Sequence, residues 1–219
     1  MNQFSADGIS PHTLAAAGAA LAEEAARFAG LGWMRGTSGN LSVTLARDPL
    51  RLAVTGSGLD KGELTPADFV IVDELGESLA RLGGSGRRPS AEAGLHARIA
   101  RVTGAGAVVH IHALAAVVAA EYWPDGVVLQ DLEMLKGLGH AAHDERVVVP
   151  VVQNSQDMVQ IGDAFEKGYL AATESIAEVP LLLVARHGLY AWGTDLRQAR
   201  WHAELIEWLL RFRIETRRQ

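Results

Sequence analysis

The sequence predicts an α/β domain in which a mixed, mostly antiparallel sheet lies between layers of helix. Apolar runs of strand length alternate with amphipathic stretches of helix length along the chain. Most connections between the apolar runs are too short for a helical crossover, which argues against a doubly wound parallel sheet. The 219 residues contain no internal repeat, linker or low-complexity segment. We therefore expect a single domain over residues 1–219.

The first half of the chain is expected to hold two helices and three strands. Ser10 and Pro11 are a favourable N-cap and first residue for a helix that ends near Gly30. Ser90 is expected to cap a second helix, which ends near Val102. Strands are expected at 41–45, 51–55 and 69–72, and a mobile surface loop at 81–88.

The second half alternates short strands and helices. Pro150 interrupts an apolar strand over 147–152, and Thr194 is expected to cap a long amphipathic helix at the end of the chain. The remaining expected elements are a buried strand at 107–112, helices at 113–122, 132–138 and 158–171, and strands at 181–184 and 189–192.

Composition excludes several classes of protein. With 48% hydrophobic and 21% charged residues the chain is globular rather than disordered. A net charge of −6 argues against a nucleic-acid partner. No basic n-region precedes the apolar stretch 14–22, and no segment offers about 20 uninterrupted apolar residues. We therefore expect a cytoplasmic protein without a membrane partner.

The pair His110 and His112 lies in an apolar run of strand length. Side chains two apart in a strand share one face, so both imidazoles could bind one divalent ion. The alternative is a pair of polar residues on the wet face of a half-buried strand. The chain has no cysteine, so a metal site here must use histidine or carboxylate ligands.

A third ligand must come from another part of the chain. His187 is favoured because it lies between two strand-like runs and precedes Gly188, although spacing alone does not decide. His140 and His143 are more simply explained as solvated loop residues. The six candidates are His12, His96, His140, His143, His187 and His202.

Two glutamates are candidates for acid–base chemistry. Glu92 opens a predicted helix, where it could equally form an ordinary pair with His96 four residues later. Glu133 opens a short helix, where Lys136 could simply pair with it on the surface.

Two clusters of glycine and hydroxyl residues, 36–40 and 55–62, are candidates for phosphate binding. Exposed backbone N–H groups, hydroxyls and Lys61 are what an anion site needs. Neither cluster matches the nucleotide-binding P-loop, and each is weak evidence alone. Together with a metal pair, they indicate a sugar phosphate as substrate.

These motifs resemble the class II (metal-dependent) aldolase/epimerase family over residues 21–210. The resemblance implies a three-layer α/β/α fold and a homotetramer with sites near the subunit interfaces. The matching segments, in the family's order, are Thr37-Ser38-Gly39-Asn40, Thr55-Gly56-Ser57-Gly58, Pro89-Ser90-Ala91-Glu92, His110-Ile111-His112 and His187-Gly188.

The resemblance also implies residue roles. One Zn²⁺ per subunit would be bound by His110, His112 and His187. Glu133 would be the general acid/base, with Glu92 as the second candidate. The implied phosphate contacts are Thr37, Ser38, Asn40, Thr55, Gly56, Ser57, Lys61 and Ser90.

Within the family, segments 57–62, 133–137, 150–154 and 186–193 are similar to a branch that removes water from a methylthio-substituted pentulose phosphate in methionine salvage. Tyr190, Trp192 or Met134 would then line an apolar pocket for the methylthio end. Ile111 and Ala113 depart from the branch, which usually has hydroxyl residues there. The alternatives are an aldolase or 4-epimerase that uses Glu92 as base, or a non-catalytic interaction domain on the same fold.

Overall fold

A computed structural model describes residues 9–140, 145–170 and 179–217. Within these ranges the α-helices are α1 (Pro11–Gly30), α2 (Ala93–Thr103), α3 (Leu114–Tyr122), α4 (Met158–Leu170) and α5 (Leu196–Arg217). The strands are β1 (Asn40–Arg47), β2 (Leu50–Thr55), β3 (Phe69–Val72), β4 (Ala107–Ile111), β5 (Val127–Leu129), β6 (Val147–Val149), β7 (Val151–Val152), β8 (Leu181–Val184) and β9 (Gly188–Gly193).

A seven-stranded sheet forms the centre of the molecule, in the order β3-β2-β1-β4-β9-β8-β7. All neighbouring strands in it are antiparallel except β7 and β8, which are parallel. Pro150 separates β6, which pairs with β5 in a small ribbon, from β7 in the main sheet. The predicted mixed, mostly antiparallel sheet is therefore confirmed.

Helices cover both faces of the sheet, as the three-layer expectation requires. On one face α1, α3 and α5 pack against the strands, and on the other face α2 and α4 do so. Side chains alternate along β4, so Val109 and Ile111 face the core under α1, α3 and α5, whereas Val108 faces the core under α2 and α4. His110 therefore faces the α2 and α4 side, where it stacks on Tyr190.

Two predicted helix caps were wrong. Ser90 does not cap α2, because Glu92 occupies the N-cap position and the Ser90 hydroxyl accepts the Glu92 N–H at 3.2 Å in a tight turn. Thr194 does not cap α5 either, because the Asp195 carboxylate accepts the Gln198 N–H at 2.8 Å. By contrast, the Ser10 hydroxyl accepts the Thr13 N–H at the start of α1, as expected.

The segment expected to be a surface loop is partly tied to the sheet. It begins in a short 3₁₀ helix, Ala80–Leu82, whose Leu82 side chain is buried. The Ser85 N–H then donates to the Phe69 carbonyl at 2.8 Å. Strand β5 was not predicted, because three residues are too few to show a periodic pattern. None of the helices within the described ranges has the length and apolar character needed to span a bilayer.

Candidate metal centre and the adjoining cavity

Two adjacent strands bring the three histidines together. Ile111 at the end of β4 pairs with Leu189 near the start of β9. His112 follows the first strand and His187 precedes the second, so the antiparallel register sets them side by side. Gly188 makes this approach possible, because a Cβ there would lie 2.3 Å from the Ile111 carbonyl oxygen. The His112 N–H is held by the Trp33 carbonyl at 2.8 Å.

The ring nitrogens of His110, His112 and His187 form a group that could hold a metal ion. One nitrogen from each ring lies within 4.8 Å of the others. The remaining histidine candidates are not part of this group: His12 is exposed, His96 and His202 bond elsewhere, and His140 pairs with Glu145 at 2.7 Å. His143 lies outside the described residues.

The protonation of these rings fits a bound cation. His110 Nδ1 must carry a hydrogen, because it lies 2.9 Å from the Leu189 carbonyl, which only accepts. The neutral ring then presents a lone pair at Nε2, only 2.9 Å from Nε2 of His112. A proton or a cation must therefore lie between the two nitrogens. Burial lowers the pKa of His110 to about 3, which disfavours a charged ring and suits metal ligation.

Glu92 lies beside the three histidines. Its Oε1 atom is 3.0 Å from His187 Nε2 and 3.4 Å from His110 Nε2. Its Oε2 atom accepts a hydrogen bond of 2.5 Å from the Asn40 amide. Burial by itself would raise the pKa of Glu92, but the hydrogen bonds from His187 and Asn40 hold that pKa well below its usual range. The carboxylate is therefore ionised at neutral pH.

Glu133 lies elsewhere on the surface of the chain. It begins a 3₁₀ helix, Glu133–Leu138, and 72% of its side chain is exposed. Its carboxylate pairs with Lys136 at 2.6 Å. Among the described residues, Glu133 is not in the lining of the cavity beside the histidines. The structure of one chain thus places only one of the two predicted carboxylates at the histidine group.

A cavity of about 320 Å³ opens next to Glu92, His112 and His187. Seven of the eight residues predicted to contact phosphate line it: Thr37, Ser38, Asn40, Gly56, Ser57, Lys61 and Ser90. The eighth, Thr55, is fully buried, and its hydroxyl accepts the Leu41 N–H at 3.2 Å. Thr55 thus joins β1 to β2 rather than facing the cavity.

Lys61 connects the two loops that carry the predicted phosphate contacts. It is only 2% exposed, and its ammonium group donates to the Thr37 carbonyl at 3.0 Å and the Leu59 carbonyl at 2.7 Å. Burial lowers the pKa of Lys61. Among the described residues these two carbonyls are the hydrogen-bond acceptors of the ammonium group, so its third N–H remains for a ligand in the cavity.

The side chain of Asn40 is engaged at both ends. Its Nδ2 atom donates to Ser90 Oγ at 3.0 Å as well as to Glu92, and its Oδ1 atom lies 2.5 Å from His96 Nε2. Asn40 therefore lies between His96 and Glu92. The two side chains do not form the direct pair that their spacing of four residues on one helix face had suggested. The reason is that Glu92 is at the N-cap, outside the regular turns of α2.

The residues expected around a methylthio group lie away from the cavity. Tyr190 and Trp192 are buried in the core beneath α2 and α4, and Met134 packs on the opposite core. The large apolar side chain that does line the cavity is Met158, at the start of α4. Sequence reasoning missed it, although the neighbouring segment 150–154 was among the family-like stretches. Asn154 from that segment contacts His187 Nδ1 at 3.2 Å.

Comparisons with known proteins identify the family. A family model described as the class II aldolase and adducin N-terminal domain matches residues 19–214. A methylthioribulose-1-phosphate dehydratase from Methylococcus capsulatus is 41% identical over 197 residues, covering 89% of this chain and 90% of that protein. One of the same name from Persephonella marina is 38% identical over 184 residues, covering 83% and 81%.

Solved structures show the same fold. An L-fuculose-1-phosphate aldolase from Thermus thermophilus superposes with a TM-score of 0.67 at 25% identity, over 93% of this chain and 95% of that one. YgbL from Klebsiella pneumoniae, a putative aldolase/epimerase/decarboxylase, superposes with a TM-score of 0.69 at 24% identity, over 88% and 85%.

Proposed function

The chain belongs to the family of class II aldolases and adducin N-terminal domains, and on that premise we propose that it is a methylthioribulose-1-phosphate dehydratase. The reaction removes water from 5-methylthioribulose 1-phosphate and gives 5-methylthio-2,3-dioxopentyl phosphate. The observation that carries the proposal is that three histidines and an ionised Glu92 come together beside a cavity lined by most of the residues predicted to contact phosphate. Relatives that carry this name are 33–41% identical to the chain, which supports 5-methylthioribulose 1-phosphate as the substrate.

His110, His112 and His187 would hold one Zn²⁺ per subunit. Three imidazole ligands with an open position are typical of catalytic zinc. When bound, zinc supplies a Lewis acid that stabilises negative charge developing on the substrate carbonyl oxygen. The Leu189 carbonyl orients the ring of His110 and Asn154 that of His187, while the Trp33 carbonyl fixes the backbone of His112.

The loops 36–40 and 56–58 would bind the phosphate. Residues of both loops line the cavity, among them the hydroxyl residues Thr37, Ser38 and Ser57, and Lys61 bonds a carbonyl group in each loop. The remaining N–H of the Lys61 ammonium group would donate to a phosphate oxygen. Anchoring the phosphate there fixes C2 and C3 of the sugar against the histidine group.

Dehydration needs a base at C3 and an acid at the C4 hydroxyl. Glu92, ionised and in contact with two of the histidines, would accept the proton from C3. Glu133 would give a proton to the C4 hydroxyl as its C–O bond breaks. The resulting enol takes up a proton at C4 and releases the proton of its C3 hydroxyl, which gives the 2,3-diketone. General acid–base catalysis of this kind typically contributes about 10²–10⁴-fold.

For Glu133 to act in this way, a neighbouring copy must supply it. Within one chain it is exposed and outside the cavity, whereas the family resemblance implies a homotetramer with sites near the interfaces. Exposed aromatic side chains on α5 provide apolar surface for such an assembly: Trp201, Trp208 and Phe212. We place the enzyme in the cytoplasm, because charged sugar phosphates do not cross a bilayer unaided.

Product analysis by mass spectrometry tests the proposal directly. After incubation with 5-methylthioribulose 1-phosphate, a product lighter by one water is expected. Two carbon fragments would instead identify an aldolase, and an isomer of unchanged mass an epimerase. Absence of turnover, together with absence of metal in the purified protein, would favour a non-catalytic domain on this fold.

A further inference from the structure

A chain of buried polar side chains lies behind Glu92 and leads away from the cavity. Asn40 contacts the carboxylate, His96 contacts Asn40, and Ser42 contacts His96. The three links measure 2.5 Å, 2.5 Å and 2.8 Å. His96 and Ser42 are fully buried, and Asn40 is 4% exposed. Neither Ser42 nor His96 lines the cavity. The mechanism described above therefore makes no direct use of these two residues.

The protons along this chain can be assigned from the acceptor at its end. An ionised carboxylate only accepts hydrogen bonds, so the Asn40 group that faces Glu92 must be the amide NH₂. The Asn40 carbonyl oxygen then faces His96 Nε2, which must carry a hydrogen. In a neutral ring Nδ1 is unprotonated and accepts from the Ser42 hydroxyl. One tautomer of His96 therefore satisfies every group in the chain.

Burial keeps His96 in this neutral form. The ring is fully enclosed, with the edge of Tyr190 5.6 Å from it between centroids. Burial lowers the pKa of His96 to about 4, although the Glu92 charge acts in the opposite direction. The ring thus donates at one nitrogen and accepts at the other throughout the neutral range. A doubly protonated ring would have no lone pair to offer Ser42.

We propose that His96 is a positioning residue, which locks the Asn40 amide in the orientation that presents its NH₂ group to Glu92. Rotation of that amide by 180° would set its carbonyl oxygen against Glu92 Oε2. The resulting repulsion would displace the carboxylate from His110 and His187. His96 therefore acts on Glu92 from behind, through Asn40, without touching substrate. The kinetic part of this inference rests on the proposed dehydratase function.

Kinetics of three variants test the role of His96. His96→Leu removes both ring hydrogen bonds and should lower kcat about 10–100-fold, as loss of an outer-shell partner typically does. KM and zinc content should change little. His96→Gln keeps a donor and an acceptor on one side chain and should recover most of kcat. Ser42→Ala should lower kcat less than His96→Leu, because Asn40 keeps its direct partner.

A matched control separates positioning from general destabilisation. His202 is also a buried imidazole, bonded to the Trp192 carbonyl at 2.7 Å and outside the cavity. His202→Leu should lower the unfolding temperature but leave kcat of the folded, zinc-loaded enzyme unchanged. If His96→Leu keeps the wild-type kcat, or if His202→Leu lowers kcat equally, the proposal is wrong.

NMR of the zinc-loaded protein tests the same inference without any substrate. In ¹⁵N-histidine-labelled enzyme at neutral pH, the His96 signals, assigned by their loss in His96→Gln, should show hydrogen on Nε2 and a lone pair on Nδ1. Hydrogen on Nδ1 would overturn the proposal. If wild-type enzyme does not dehydrate 5-methylthioribulose 1-phosphate, the proposed function fails while this measurement still decides the tautomer.

Discussion

The phenol ring of Tyr190 stacks on the imidazole of His110, with ring centroids 4.1 Å apart and planes inclined by 16°. The contact follows from the sheet, because the two residues are direct partners in the register of β4 and β9. Together with the hydrogen bond from His110 Nδ1 to the Leu189 carbonyl, the stack leaves the ring one orientation. His110 is therefore preorganised before any ion binds.

Two substitutions of Tyr190 distinguish the effect of its stacked ring on zinc affinity from the effect of its hydroxyl. Tyr190→Phe keeps the stacked ring and removes only the buried hydroxyl, which interacts with the Glu92 carboxylate, so zinc affinity should remain within about twofold. Tyr190→Leu loses the stack, and zinc affinity should fall about 10–100-fold. Competition with a chromogenic chelator measures both. Equal affinities for the two variants would show that the stack does not orient His110.

Removal of one imidazole should abolish stoichiometric zinc binding. His187→Ala leaves two protein nitrogens, and its position in a turn before β9 means that the fold should survive. Zinc content by elemental mass spectrometry should fall from one per chain to well below one, with loss of turnover. The exposed His12 provides the control, since His12→Ala should retain full zinc. Full occupancy in His187→Ala would contradict its assignment as a ligand.

Complementation between subunits tests the origin of Glu133. His110→Ala and Glu133→Gln should each be inactive alone. When equal amounts are unfolded and refolded together, about a quarter of the sites should combine intact histidines with an intact Glu133 from a neighbour. Turnover should then recover to roughly that fraction of wild type. No recovery, despite mixed oligomers shown by native mass spectrometry, would mean that Glu133 acts within its own chain or not at all.

The buried His96 should make stability depend on pH. Its pKa is about 4 in the folded protein and about 6.5 when exposed, so between these values the unfolded chain binds more protons. Its contribution to the free energy of unfolding is complete above pH 6.5 and is lost as pH falls through 4. The stability advantage of wild type over His96→Gln should shrink by up to about 1.4 kcal/mol per pH unit within this window.

Urea unfolding of metal-free protein at pH 7.5 and pH 5 measures that difference. The exposed His12→Gln serves as the comparison variant. A pH-independent difference between wild type and His96→Gln would show that the imidazole is not held neutral by the fold.

Met158 should determine preference for the methylthio end. It lies where the cavity beside the histidines meets a wider groove of about 830 Å³. The ligand 5-methylthioribitol 1-phosphate is the substrate with its carbonyl group reduced. Met158→Ser should weaken its binding by roughly tenfold, because an apolar contact with the methylthio group is lost. Binding of ribitol 1-phosphate should change much less, and Met158→Leu should retain most of the preference. Calorimetry measures all four combinations. Equal losses for both ligands would place the methylthio group elsewhere.

Local patterns predicted the helices and every strand except β5. The apolar runs around His110 and Leu189 predicted two strands, and the antiparallel sheet followed from short connections. Helix starts were less accurate, because the capping residue depends on the backbone angles of one position. Ser90 and Thr194 lie in the turns before α2 and α5, and the N-cap positions fall on Glu92 and Asp195. Segments 141–144 and 171–178 lie outside the described residues, so the expectations there stay predictions.

By itself, the sequence determined which chemical groups are available: imidazoles and carboxylates but no thiol, and glycine-rich loops with one lysine. It could not rank Glu92 against Glu133, because both begin short helical segments and look alike over a few residues. The tertiary structure places Glu92 beside the histidines and Glu133 outside the cavity lining. The pairing of β1 with β4 sets Asn40 opposite His110, and Asn40 in turn directs Glu92 to the histidines. Contacts between residues more than fifty positions apart depend on strand register, which the local pattern of side chains does not specify.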